Sequence, residues 1–304
     1  MIQNLVDGFL VGSILSLGAI GLTMVMHVLR FANFSQAELL SIGAYAALVF
    51  DGVFGQMLPL FQSTLEPLSL TGALVLSMLA SMLLTGLSAV VIDQLVFRRI
   101  RDSGEELSMV FASFGVALII RNGVSLLFGL KSHLYSNEIV FAIVVSRDPL
   151  LLIKPDQVFI LIAALVLMVL LHLVLSRTTF GYALQAVAEN PVLAQVSGVR
   201  LSFMVAMIWM IGGALAATAG VFYGLNNQIN PVMGRDLVLP IFAATIVGGI
   251  GSIYGAVLGG FIVGIASNLA LVVLPSGYSP AVPFLIILLV LIFRPHGVLG
   301  EART

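Results

Sequence analysis

The chain has 304 residues, 60% hydrophobic and 9% charged, with a net charge of -1 at pH 7. A soluble domain carries about 25% charged residues, so there is too little polar surface here to face water on all sides. Near-neutrality also argues against a nucleic-acid partner. Several runs approach or exceed the ~20 apolar residues that cross a bilayer as a helix. The expected fold is an all-α integral membrane protein: one domain over residues 1–304, a polytopic bundle of about eight or nine transmembrane helices, some short or broken.

No cysteine is present, which removes disulfides, a thiolate nucleophile and cysteine-held metals. His27, His133, His172 and His296 are too far apart for a HExxH arrangement, and no Walker A glycine loop occurs. The expectation is therefore no catalytic residues, no metal and no cofactor in this chain. Met1 to Asp7 holds no Lys or Arg and leads into a full span, so it does not read as a cleaved signal peptide.

Apolar runs place spans near residues 5–28, 36–50, 70–96, 107–130, 158–175, 201–225, 238–249, 253–274 and 281–293, the second, seventh and last being short. With the N-terminus outside, inner segments hold Arg30, Arg98, Arg99, Arg101, Arg177, Arg200, Arg294 and Arg303, which is eight cations. Outer segments hold Lys131, Arg147, Lys154 and Arg235, which is four. Eight against four favours this orientation and a cytoplasmic C-terminus.

In the first span, Gly8, Gly12 and Ser16 recur at four-residue spacing, as do Gly251, Gly255 and Gly259 later. Small residues so spaced let two helix backbones approach within lipid; they serve either packing inside the chain or a subunit interface. Next comes LRFANFSQAELLSIGAY from residue 29. Ser35-x-x-Glu38 has capping-box spacing, with Asn33 an alternative cap. The other reading of Asn33, Phe34, Ser35, Gln36 and Glu38 is a broken helix beside a translocation pathway, where unwound backbone is tolerated because it meets water or protein. Arg121 interrupts the fourth span with no acidic residue near it in sequence, so it either snorkels outward or faces a partner or cavity. The segment 131–157 mixes both charge signs.

Residues 176–200, SRTTFGYALQAVAENPVLAQVSGVR, form the main polar stretch on the inner side. Phe180, Leu184 and Val187 make one apolar stripe. Asn190-Pro191 reads as a break and restart, with Asn190 capping and Pro191 in the first helical position. Gly198 is a natural helix stop. The expectation is two short helices meeting at an angle, either a structured loop or a docking knob for a soluble partner. The amide-rich YGLNNQINP from Tyr223 suits a solvated outer mouth. Gly248, Gly249 and Gly251 then break the chain before a glycine-spaced helix, and are further pathway candidates.

LRFANFSQAELLSIGAY, AVAENPVLAQVSGV, ATIVGGIGSIYGAVLGG and the terminal RPHGVLG, in this order, resemble the permease subunit of branched-chain amino-acid ABC importers of the LivH type. The resemblance covers nearly the whole chain. It implies that 176–200 is a cytoplasmic coupling segment seated in a groove of an ATPase, with Ala186, Glu189, Asn190, Pro191 and Gly198 at its core. It also implies a bacterial inner-membrane assembly with a second, LivM-like permease, two ATPase subunits that hold ATP and Mg, and a periplasmic binding protein. Relatives often have Ala-His where this chain has Ser35-Gln36. Urea and short-chain amide importers share the same segments and remain alternatives. An ion-coupled carrier usually needs more ionisable groups at mid-membrane, and an intramembrane enzyme would need paired carboxylates or a nucleophile elbow.

Overall fold

The computed structural model describes residues 1–57, 68–101, 106–135, 142–147, 150–294 and 296–300. Within the membrane every backbone polar group must be satisfied locally, and the apolar runs are helical throughout. The helices are α1 (Ile2–Leu29), α2 (Gln36–Met57), α3 (Gly72–Arg101), α4 (Glu106–Phe128), α5 (Pro155–Arg177), α6 (Thr179–Glu189), α7 (Pro191–Val196), α8 (Leu201–Asn226), α9 (Met233–Gly248), α10 (Ile253–Ala270) and α11 (Ala281–Phe293). Between α4 and α5 a short antiparallel hairpin pairs β1 (Ile143–Arg147) with β2 (Leu150–Ile153). Its Leu152 exchanges two hydrogen bonds of 3.0 Å with the side-chain amide of Gln3.

Contacts between distant residues sort the helix ends into two layers. One layer joins Thr71 to Asp51, Ser69 to Asp156, the backbone of His133 to Ile229, and Asn4 to Asn268. The opposite layer joins Arg30 to Ala188, Phe31 to Phe97, Phe97 to Trp209, and Val298 to Val247. Seven helices are long and apolar enough to cross a membrane. α9 and α11 are shorter, at 16 and 13 residues, and α9 begins inside the bundle, where Gly234 meets Glu38 and Ser41 of α2. The second span is not short: α2 has 22 residues. All the cations assigned to the inner side that are described fall in the second layer.

α1 and α8 form the buried centre. Backbones approach closely between α1 and the antiparallel α10. A Cβ on Gly264 would lie 2.4 Å from Gly12 Cα, and one on Gly8 would lie 2.8 Å from Ile265 Cα. Ser16 Oγ donates to Val257 O at 2.9 Å across the same seam. Gly255 and Gly259 occupy a second face of α10, packed on Gly248 and Ala244 of α9. All five small residues therefore pack within the chain.

The second layer also explains why two glycine-rich stretches far apart in sequence belong together. α9 stops at Gly249, where φ of 106° suits glycine. The last carbonyls of α9 have no partner inside their own helix. Val247 O and Gly248 O instead accept from Val298 and Leu299 N–H at 2.8 and 3.0 Å. Val298 and Leu299 thus cap α9.

Candidate functional site

Two places combine chemistry with an unusual setting: the start of α2, inside the bundle, and the α6–α7 protrusion in the second layer. At the first, α2 does not begin at the edge of the bundle. Phe34, two residues before it, stacks between Phe114 of α4 and Phe242 of α9 at centroid distances of 3.9 and 4.6 Å. Phe34 N–H donates to Ser113 Oγ at 3.1 Å. Residues 30–35 therefore climb alongside α4 before helix forms, which is the broken-helix arrangement expected beside a cavity.

Ser35 holds the cap position, its carbonyl accepting from Leu39 N–H at 3.3 Å, while Asn33 Oδ1 accepts from Ser35 N–H at 3.1 Å and Ser35 Oγ at 2.6 Å and so braces the turn before the helix. The capping box is not formed as its spacing suggests, because the Glu38 side chain does not turn back to the cap backbone. Its Oε1 instead accepts from Arg121 Nε at 2.9 Å and from Arg121 Nη2. Arg121 thus neither snorkels nor lacks an acid; its partner is 83 residues away in sequence. Ion pairing resolves both problems, since each charge alone would be costly at that depth.

Glu38 also lies in the first turn of α2 and against the first turn of α9. A Cβ on Gly234 would be 2.5 Å from Glu38 Oε2, and Gly234 N–H donates to Ser41 Oγ at 3.2 Å. Two helix N-termini, each partially positive, thus converge on one carboxylate. Glu38 is 1% exposed, and its Oε2 has no hydrogen-bond partner. On the same α2 turn, Gln36 points the other way, donating from Nε2 to Gly212 O of α8 at 3.0 Å. Gly248, Gly249 and Gly251 lie at the far end of α9, roughly 20 Å from Gly234 by helical rise. Gly251 there sits against His27. The structure thus brings Phe34 and Glu38 to one seam and keeps the glycine break apart from it.

Phe114, Arg121, Gly234 and Phe242 complete this seam and were not singled out together by the sequence. A signal did exist: one acid and one base, each inside an apolar span, are natural partners.

The protrusion is built as its sequence suggests. α6 buries Gly181, Leu184, Val187 and Ala188, with Phe180 half-buried. Arg30 Nη2 donates to Ala188 O at 3.4 Å, tying α6 to the end of α1. Asn190 Oδ1 accepts from Val192 and Leu193 N–H at 3.1 and 3.0 Å, opening α7 behind Pro191. At its close, Gly198 has φ of 93°, and Val199 N–H reaches Ala194 O at 3.0 Å, the hydrogen bonding of a Schellman stop. Ala186, Glu189, Asn190 and Gly198 are exposed and Pro191 partly so. Tyr182, Val192, Leu193 and Val196 are 62 to 82% exposed. Four large apolar groups on a capped, protruding element mark a contact surface.

The sequence pattern of the family described as branched-chain amino acid transport system / permease component matches residues 4–291. The chain belongs to this permease family. Among relatives, the permease is 32% identical to the high-affinity branched-chain amino acid transport system permease protein BraD of Pseudomonas aeruginosa, covering 100% of this chain and 97% of that one. It is 31% identical to LivH of Escherichia coli K12, over 100% and 96% of the two chains. It is 29% identical to a probable LivH of Methanocaldococcus jannaschii, over 98% and 92%. No solved structure matches the permease significantly.

Proposed function

We propose that this permease forms one half of the conduit of an ATP-driven importer of branched-chain or other hydrophobic amino acids, in a bacterial inner membrane. Its partners are a second, LivM-like permease, two cytoplasmic ATPase subunits that carry ATP and Mg, and a periplasmic binding protein. The second layer faces the cytoplasm, in keeping with its excess of cations. The observation that carries this reading is the α6–α7 knob, whose exposed Tyr182, Val192, Leu193 and Val196 suit an apolar groove on a soluble subunit.

The knob is a lever because its ends continue directly into α5 and α8. α8 in turn holds the first turn of α2 through Gly212 O and Gln36. That turn carries Glu38, and Phe34 lies two residues before it. Closure of the ATPases would shift the knob and α8 together, and with them the α2–α4–α9 seam. Access then alternates as nucleotide state biases the equilibrium. The test is uptake by the reconstituted complex with Glu189–Pro191 deleted from the permease. Inserted protein with no leucine uptake is expected; normal uptake would refute the coupling role. Uptake of urea in place of leucine by the intact complex would refute the substrate class.

A further inference from the structure

Glu38 keeps one oxygen in reserve. Oε1 takes both bonds from Arg121, while Oε2, on a side chain 1% exposed, takes none. An ionised carboxylate has room for about four donors, and a buried oxygen without any pays its full desolvation cost. The packing around Oε2 is provisional. It rests on Gly234, in the first turn of α9, and that turn is tied to α2 by the Gly234 N–H to Ser41 Oγ bond. A small withdrawal of α9 from α2 would uncover the oxygen. Arg121 is the complement: it spends Nε–H and Nη2 on Glu38, while its side chain stays 22% exposed, leaving guanidinium N–H groups on the open side. An acceptor for an ammonium N–H and a donor for a carboxylate thus stand side by side. Next to them lies the Phe34–Phe114–Phe242 stack, an apolar surface for a hydrocarbon side chain.

We infer that Glu38 Oε2 accepts the α-ammonium group of a zwitterionic amino acid in transit, with Arg121 holding Glu38 in position and facing the substrate carboxylate. This rests on the reading of the chain as an amino-acid permease and adds where, within the membrane, the solute is recognised.

The experiment is proteoliposome uptake by the full complex of both permeases, ATPases and binding protein, with radiolabelled leucine and ATP hydrolysis measured together. The variants are Glu38→Gln and the neutral pair Glu38→Gln/Arg121→Gln. Glutamine keeps the shape and removes the charge. A charge-assisted hydrogen bond lost from the transported solute lowers leucine delivered per ATP on the order of tenfold or more in both variants. A merely structural pair predicts otherwise: Glu38→Gln would lower melting temperature, hydrolysis and uptake in parallel, and the double variant would restore all three. That result, or an unchanged leucine-to-ATP ratio, overturns the assignment. A wild-type complex that hydrolyses ATP but imports no leucine instead sinks the functional reading, and this assignment with it.

Discussion

Replacing Asn190 by alanine perturbs the knob at one atom. Oδ1 is the acceptor for the Val192 and Leu193 N–H groups, and its removal leaves both without that partner. Loss of such a cap costs about 1 kcal/mol. α7 has little to offset it: it is 6 residues long with Ala194 its buried residue, and a helix that short does not persist by itself. About 1 kcal/mol changes the ratio of ordered to frayed knob roughly fivefold. Affinity of the ATPase subunits for the reconstituted permease should weaken by about that factor, because binding must first order the knob. Asn190→Asp keeps an oxygen in the same place and should bind close to wild type. Detergent melting of the membrane bundle should be the same in all three proteins, since the cap touches no spanning helix. Equal ATPase affinity for Asn190→Ala and wild type would refute the reasoning, as would equal impairment of Asn190→Ala and Asn190→Asp.

Three further perturbations probe the bundle. Arg121→Ala leaves the Glu38 carboxylate buried without its partner and should destabilise the bundle by about 3–5 kcal/mol in SDS-titrated unfolding; Glu38→Gln/Arg121→Gln should recover most of that, and an equal cost would contradict the pairing. Gly264→Leu forces side-chain atoms against the backbone of Gly12 and should cost about 1–3 kcal/mol by the same assay, whereas Gly277→Ala, with nothing within 4 Å, should be neutral. Gly249→Ala must adopt a φ of 106° and meet Gly300 N at 2.4 Å, so the amides of Val298 and Leu299 should lose hydrogen-exchange protection while those in mid-α9 keep theirs.

Local signals read well wherever a residue's role is set by its neighbours in sequence. Asn190, Pro191 and Gly198 delimit short helices through backbone geometry alone, and α6–α7 forms where they place it. The long spans and the gathering of cations in one layer followed from apolar length and from Lys and Arg. What escaped was pairing between spans. Ser35 and Glu38 have the spacing of a capping box, yet a carboxylate at depth gains more from an ion pair than from one backbone N–H, so Glu38 turns to Arg121. The small-residue spacing of Gly8, Gly12 and Ser16 announced a close helix contact without its partner, because many helices can meet such a face; α10 proved to be that partner. The link from Val298 and Leu299 to the end of α9 likewise depends on which carbonyls are left open, and that emerges in three dimensions.

The most direct test of the central claim, a conduit turned by another molecule through residues 176–200, is leucine accumulation in proteoliposomes holding both permeases and the binding protein, with the ATPase subunits added or withheld. Accumulation against a gradient with ATPases and ATP together, and none when either is missing, is the predicted result. Uphill accumulation without ATPases, driven by a proton or sodium gradient, would contradict it.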